Sequence, residues 1–597
     1  MAVATLVLAA CTGDDDDESS ATSSTTTPAT TGDATTDDTG PGTTDTTGDT
    51  VDESEFTVAP LAWEPCADLD GFECATLVAP VDHDDPEGET LDVAVIRQPA
   101  SDTDERIGSL VFNPGGPGGS GITFLADAAP VVPAELAARF DLVSFDPRGV
   151  GRSTPIECNP DPARELAIIP DRASGFAEVA AYNVELAQSC AERYGDLLDH
   201  LGTVDVAHDL DLLRRALGDD GLNYVGLSYG TTIGAVYAEL HGEHARALIL
   251  DGGVAPDLDL VEDTRLRAVR FDEAFARLDA MCASEPECPL AEAGLAQTWD
   301  GVLASVLESP LPTADPARTL DAGLFYAASA VPLYTTDGWQ LFTFALDDAA
   351  GGDGTALLFL ADLYTERADD GTYPNSSEMF TAVDCADDPA ALSAEEAVAL
   401  AEEVAPAAPR WGDLLVAGTL QCASWPAEGE GLPEISGADA PPVLVIGTTH
   451  DPATPFEWSQ RLADALDSAT LVTFAGDGHT AFAAGGCVDD LYVEYLVDLT
   501  VPDDALVCPS AGYLGAQLDS SGGAVTVADV APNSAAAAAG LTPGDVVVEV
   551  DGEPVGAIDD LVAAGAGAQV TYTVERAGAR QQLAATLGAR PWTLPPG

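Results

Sequence analysis

The chain is 597 residues long and 46% hydrophobic, enough for several packed units rather than one. Acidic residues outnumber basic ones 102 to 22, for a net charge of −80, and only 13 of the acids lie in residues 12–55; a surface this negative repels nucleic acid and anionic lipid headgroups, and fits a saline setting in which salt screens self-repulsion. All 22 basic residues are arginine, and the lack of lysine excludes Schiff-base and pyridoxal phosphate chemistry, Ser-Lys nucleophile pairs and a Walker A phosphate loop.

Residues 1–11 are a short apolar run ending in Leu8-Ala9-Ala10-Cys11, the form of a bacterial lipobox, so Cys11 is expected to be lipidated after cleavage of an export signal. No basic residue precedes the run. Residues 12–55 are rich in Thr, Ser, Gly and Asp and too poor in apolar residues to form a core. They read as a flexible spacer between a membrane anchor and a folded domain. No other apolar stretch is long enough to span a bilayer.

From residue 57 to 255 apolar strands alternate with helical patterns, the signature of a mostly parallel sheet with helices on both faces. The expected strands are Leu91–Arg97, Ser109–Asn113, Phe140–Asp146, Leu222–Leu227 and Ala247–Asp251, and Val204–Leu217 has the periodicity of an amphipathic helix. The second strand runs into Asn113-Pro-Gly-Gly-Pro-Gly-Gly-Ser-Gly, whose glycines let backbone N–H groups approach a substrate oxygen. The fourth runs into Gly226-Leu-Ser-Tyr-Gly230 and then a helix. Such a turn holds its central residue in a strained conformation that only small neighbours permit, and it lifts the Ser228 hydroxyl clear of the sheet edge.

Residues 256–438 turn Ala- and Leu-rich with helical periodicity, a cap inserted between strands of one sheet. Strands return in 439–510, as Pro442–Gly447 and Thr470–Phe474. A serine nucleophile needs a base, and without lysine that base is one of seven histidines. When acid and histidine both follow the serine in chain order, His241, His244, His450 and His479 remain. The first two lie on or near the helix after the serine and read as solvated, while His450 stands beside Asp451 at a strand end. This leaves His479, in Gly-Asp-Gly-His-Thr, as the base and Asp451 as its orienter, with Asp251 and Asp477 as rival acids. The oxyanion would be held by the N–H of Tyr229 together with that of Gly115 or Gly116.

Residues 511–590 are different again, with alternating strands, a Gly-Leu-Thr-Pro-Gly-Asp turn and an Asp-Gly hairpin. Besides Cys11 there are ten cysteines, an even number that suits an oxidising compartment; the sequence neighbours Cys66–Cys74, Cys282–Cys288 and Cys487–Cys508 are candidate pairs. Nothing has zinc-site spacing, and no metal or cofactor is expected.

Taken together, NPGGPGGSG, Phe145-Asp-Pro-Arg-Gly-Val-Gly-Arg-Ser, YVGLSYGTTIGAVYA, GTTHDPATP and GDGHT resemble the tripeptidyl-aminopeptidase-like branch of the α/β-hydrolases, related to proline iminopeptidases, over roughly residues 57–510. The resemblance implies an α/β-hydrolase sheet with an inserted helical cap, and Ser228, Asp451 and His479 as a triad. It also implies cap acids that receive a substrate's free amine, and Asp146 and Arg148 as braces of the oxyanion loop. The C-terminal unit resembles a bacterial PDZ domain of the kind appended to exported HtrA-like proteases, with Tyr513, Leu514 and Gly515 in the loop that captures a peptide C-terminus, and a short, glycine-interrupted groove helix within Ile558–Gln569. The expected function is that of an extracytoplasmic, lipid-anchored serine peptidase acting on peptides. A carboxylesterase, or a surface-anchored PDZ binding protein with a vestigial hydrolase, are the alternatives.

Overall fold

The computed structural model describes residues 56–588, apart from 428, 430, 503–504, 511, 520–523, 532–533, 556–564 and 566. Cys11, the spacer 12–55 and most of the stretch Ile558–Gln569 lie outside the described residues. The chain first lays down β1 (Glu64–Pro65), β2 (Glu73–Pro80), β3 (Thr90–Gln98), β4 (Gly108–Asn113), β5 (Phe140–Phe145), β6 (Leu222–Leu227) and β7 (Ala245–Asp251). A two-stranded clip follows, β8 (Leu311–Pro312) with β9 (Thr319–Leu320), and then β10 (Val443–His450), β11 (Ala469–Asp477) and β12 (Val507–Pro509). Apart from the clip these strands make one ten-stranded sheet in the order β1-β2-β3-β5-β4-β6-β7-β10-β11-β12. It is antiparallel from β1 to β5 and parallel from β5 onward.

Burial on both faces explains the unbroken apolar runs in β4, β5 and β6, in which every residue is buried. Successive side chains alternate between two cores. Val111, Tyr224, Leu248 and Val445 pack under the helices Thr203–Leu217 and Gly230–His241, while Phe112, Val225, Ile249 and Ile446 pack under the helices Gly121–Ala128 and Cys487–Asp498.

Between β7 and β10 runs a helical cap from the helix Leu260–Ser284 to the helix Gly412–Gly418, with an aromatic core that includes Phe275, Trp299, Phe325, Trp339 and Trp411. Part of this layer has another source. The helices Pro162–Ala167 and Ala177–Tyr194, between β5 and β6, pack against it rather than against the sheet: Tyr182, Leu186 and Cys190 share a core with Met379, Ala382 and Val383. Sequence periodicity did not separate this stretch from the sheet unit, because an amphipathic helix reads the same whichever surface receives it.

Five disulfides form: the three expected neighbour pairs Cys66–Cys74, Cys282–Cys288 and Cys487–Cys508, together with Cys158–Cys190 and Cys385–Cys422. They fit an oxidising, extracytoplasmic setting. Among the described residues no helix is long and apolar enough to cross a membrane. The last unit is an antiparallel sheet of β13 (Ala516–Asp519), β14 (Thr526–Val530), β15 (Val546–Val550), β16 (Glu553–Pro554), β17 (Gln569–Arg576) and β18 (Ala579–Thr586), ordered β13-β14-β15-β17-β18 with β16 on β15.

Candidate active site

Ser228 occupies the first position of the two-residue turn, Ser228-Tyr229, between β6 and the helix Gly230–His241, at a left-handed φ of 55°. That conformation costs about 1–3 kcal/mol in a non-glycine residue and persists only where the surroundings enforce it. Here the Ser228 N–H donates to the Asp251 carbonyl at the end of β7 (2.9 Å), and the Ser228 carbonyl accepts from the N–H and hydroxyl of Thr231 (2.8 and 2.6 Å). The flanking glycines are required by space. A Cβ on Gly226 would lie 2.2 Å from the Gly230 carbonyl oxygen, and one on Gly230 2.6 Å from the Asn113 carbonyl oxygen.

His479 lies just past β11, its N–H donating to the carbonyl of Tyr334 in the cap (2.8 Å) and its ring edge-on to the Tyr334 ring. Its Nδ1 is 3.0 and 2.9 Å from the two carboxylate oxygens of Asp451, which is fully buried after β10. Asp451 also accepts from the N–H groups of Ala453, Thr454 and Thr480 and from the Thr454 hydroxyl. Such a net fixes the carboxylate, and the carboxylate fixes the tautomer that leaves Nε2 free to accept a proton. Ser228 and His479 line one cavity of about 610 Å³, without a hydrogen bond between hydroxyl and imidazole; such contacts are commonly loose before substrate binds.

The rival acids are engaged elsewhere. Asp251 accepts from the Ala481 N–H (2.9 Å) and the Tyr492 hydroxyl (2.9 Å), and burial pushes its carboxyl up to about 6. Asp477 is held by Arg277. His241, expected in solvent, is instead half-buried, with its Nε2 2.9 Å from His208 Nδ1. It belongs to a stack of His83, His208 and His241 behind the sheet, reached because the helices Thr203–Leu217 and Gly230–His241 pack side by side.

The glycine loop after β4 folds against the serine turn. Gly115 stands at φ 86°, and a Cβ there would lie 2.8 Å from the Tyr229 nitrogen. The Gly115 N–H is committed to Asn113 Oδ1 (2.9 Å), whereas those of Gly116 and Tyr229 have no hydrogen bond among the described residues, and both residues line the cavity. Asp146 braces this loop as expected, accepting from the Ser120 hydroxyl and the Ile122 N–H (2.7 and 3.0 Å). Arg148 does not. Its buried guanidinium reaches the other way, to Asp209 and the carbonyls of Pro80, Val81 and His200, because the chain turns sharply after Asp146.

The cap closes the cavity with carboxylates that no sequence motif marks. Asp384 accepts from Gln421 (2.8 Å), and burial pushes its carboxyl up to about 6; Asp387 is raised to about 7 by the same cause. Burial also raises Asp263 and Glu165. Tyr334 was equally silent in the sequence, whereas Thr454, three residues after Asp451 in a Pro-bracketed turn, carried the signal of a side chain folding back on an aspartate.

In the C-terminal unit, Tyr513 pairs with Gly588, its N–H donating to the Gly588 carbonyl (2.8 Å), so it has no amide left for a ligand. The carbonyls of Leu514 and Gly515 accept from Ala536 and Ala531, while their N–H groups have no hydrogen bond among the described residues. β13 stands at the sheet edge beside them.

A family profile described as alpha/beta hydrolase fold matches residues 108–485, and one described as PDZ domain matches residues 526–576. The chain is 37% identical over 476 residues to serine protease Hip1 of Mycobacterium tuberculosis, an alignment covering 75% of this chain and 91% of that protein. It is 37% identical over 479 residues to carboxylesterase B of the same species, covering 76% and 90%. To tripeptidyl aminopeptidase of Streptomyces coelicolor it is 31% identical over 464 residues, covering 74% and 84%. With a strained serine turn, a buried Asp-His pair and a glycine loop gathered on one cavity, the chain is a serine hydrolase that belongs to the α/β-hydrolase family and carries a C-terminal PDZ domain.

Proposed function

We propose that this chain is an exported serine peptidase acting on peptides with a free N-terminus, through an acyl-enzyme on Ser228. The Ser228 hydroxyl attacks the scissile carbonyl carbon while His479 Nε2 takes its proton. Asp451 holds the imidazole by Nδ1 and stabilises the imidazolium that forms. The negative oxygen is received by the N–H groups of Tyr229 and Gly116; Gly115, whose amide is occupied, serves by its closeness to the turn. The intermediate collapses as His479 returns the proton to the leaving amine and the C–N bond breaks. Water then attacks the acyl group, with His479 again as base. The observation that carries this reading is the double contact of His479 Nδ1 with Asp451, on the cavity that Ser228 lines. A fluorophosphonate probe is expected to label Ser228 in the folded protein and leave Ser228→Ala unlabelled; a folded, unlabelled wild type would end the proposal.

Preference for a free amine is supported by Asp384 and Glu165 on the cavity wall, half-buried carboxylates without an ion pair among the described residues, whereas Asp263 there is paired with Arg267 at 3.6 Å. A second reading, a carboxylesterase, is favoured by the relative named carboxylesterase B, as similar as the one named serine protease. Turnover of free and N-blocked peptide amides beside acyl esters separates the two. A peptidase of this kind favours the free amine at least tenfold, whereas equal rates with N-blocked substrates count against it.

Around this core, the PDZ domain would take a peptide's C-terminus on the Leu514 and Gly515 amides and add the peptide to β13. A lipid on Cys11 would hold the protein at the outer face of the cell membrane. In the producing cell, Cys11→Ser should release the enzyme from the membrane fraction, and retention of that variant would remove the anchor from the proposal.

A further inference from the structure

A hydrogen-bond chain that the triad does not use joins the cap to the serine turn. The Tyr229 hydroxyl lies 2.5 Å from Thr203 Oγ1, and Thr203 Oγ1 lies 2.5 Å from Asp387 Oδ2. The Thr203 N–H donates to Asp387 Oδ1 at 2.7 Å. Three elements meet here: the residue after Ser228, the first residue of the helix Thr203–Leu217, and the last residue of the cap helix Ser376–Asp387. The polarity of the chain follows from its end. Ionised, the Asp387 carboxylate only accepts, so it takes both Thr203 protons, and the Thr203 oxygen is left to accept the Tyr229 proton.

The position of Asp387 is costly. It is half-buried on the cavity wall without a cation within ion-pair distance among the described residues, and the charged groups facing it are two more acids, Asp384 on its own helix and Asp205 on the helix that carries Thr203. Asp205 is itself paired with Arg148 at 3.2 Å. A phenol that needed only an acceptor would be served by any backbone carbonyl, without a desolvated acid. The approach is also tight, since a Cβ on Gly202 would lie 3.2 Å from Asp387 Oδ1.

We infer that Thr203 and Asp387 are positioning residues for the oxyanion-holding turn: by fixing the Tyr229 side chain they fix the N–H of the same residue, and they make that fixation depend on the cap helix Ser376–Asp387 being seated. The inference rests on the proposed roles of Ser228 and Tyr229. It goes beyond them in giving the cap a part in the chemical step. An oxyanion donor loses much of its value when displaced by a fraction of an ångström, so the effect belongs in kcat rather than KM.

The test uses the full chain on a peptide amide. Thr203→Val and Tyr229→Phe are expected to lower kcat about tenfold with KM within about twofold, and Thr203→Ser, which keeps the hydroxyl, to recover most of the loss. The double variant should be no worse than either single one, as members of one chain behave. Wild-type kcat in both single variants, additive losses in the double, or no recovery in Thr203→Ser each overturn the inference. If Thr203→Val shows no cooperative thermal transition, Tyr229→Phe, which removes one oxygen from the far end, decides alone by its kcat and KM. Ser228→Ala separates the two readings: activity in that variant defeats the proposed site, whereas an inactive Ser228→Ala beside a fully active Tyr229→Phe defeats only the positioning role.

Discussion

Ser228 and Gly226 show how closely single residues are constrained here: the serine is held at φ 55°, and the glycine has a carbonyl oxygen 2.2 Å from where its Cβ would stand. Gly226→Ala is therefore expected to move the turn and cost more than tenfold in kcat, read by steady-state kinetics. The two strand-end acids give a sharper contrast. Asp451→Asn should lower kcat by roughly 10⁴, because an amide no longer enforces the productive imidazole tautomer, while Asp251→Asn should stay within about threefold, since Asp251 touches Ala481 and Tyr492 rather than the ring. Asp251 shows itself in stability instead. Burial lifts its folded pKa to about 6, above the ordinary 3.8 of an aspartate, so its stabilising contribution is complete below about pH 4 and is lost as the pH rises through 6. His208 runs the other way: burial lowers it from 6.5 to about 4, so its contribution is present above pH 6.5 and is lost as the pH falls through 4. On acidification from pH 6 to 4, the unfolding free energy read from denaturant melts should therefore fall more steeply in Asp251→Asn than in wild type, by up to about 1.4 kcal/mol per pH unit. An unchanged slope would mean that Asp251 is ordinary in the folded protein.

Elements differ in how much of them the sequence announced. The strand ahead of Ser228 was legible as written, Leu222–Leu227, because a short apolar run bounded by glycines has one reading, and the helix expected from Val204 starts one residue earlier, at Thr203. β10, expected to stop at Gly447, runs to His450 through a register shift after Thr448, which no apolar pattern marks. The contact of Asp451 with His479 beside the cavity that Ser228 lines was legible because chain order and the count of histidines narrowed it, and the cap's contribution was not, because it works through backbone and close approach. The Tyr334 carbonyl that holds His479 belongs to the helix Ala322–Tyr334, whose residues look like any buried apolar helix. The same contact yields a prediction. Gly478 stands at φ 104°, with the Tyr334 oxygen 2.8 Å from a would-be Cβ, so Gly478→Ala should push the cap helix away from the histidine loop. Fluorophosphonate labelling should slow at least tenfold in a protein that still melts cooperatively; wild-type labelling would show that the loop does not need its seat under the cap.

At the scale of the whole molecule the net charge of −80 dominates, with 22 arginines against 102 acids. Self-repulsion of such a surface weakens with salt, so the thermal midpoint should rise by several degrees between about 0.05 and 1 M sodium chloride, and a flat response would assign the acids to solubility alone. If the PDZ domain serves the hydrolase by holding substrates, deletion of residues 511–597 should raise KM for long peptides and leave short ones unchanged. The disulfides at the two borders of the large sheet have a mechanical consequence. Cys66–Cys74 ties the chain beside β1 to β2, and Cys487–Cys508 ties β12 to the helix Cys487–Asp498. Tension applied at the C-terminus would pass at Cys508 through the sulfur–sulfur bond into the helix Cys487–Asp498 and spare residues 488–507, whereas tension from the N-terminus meets β1 before it reaches Cys66. Pulled end to end, the enzyme should yield at its small terminal sheet long before the hydrolase does, and a reducing agent should erase that order.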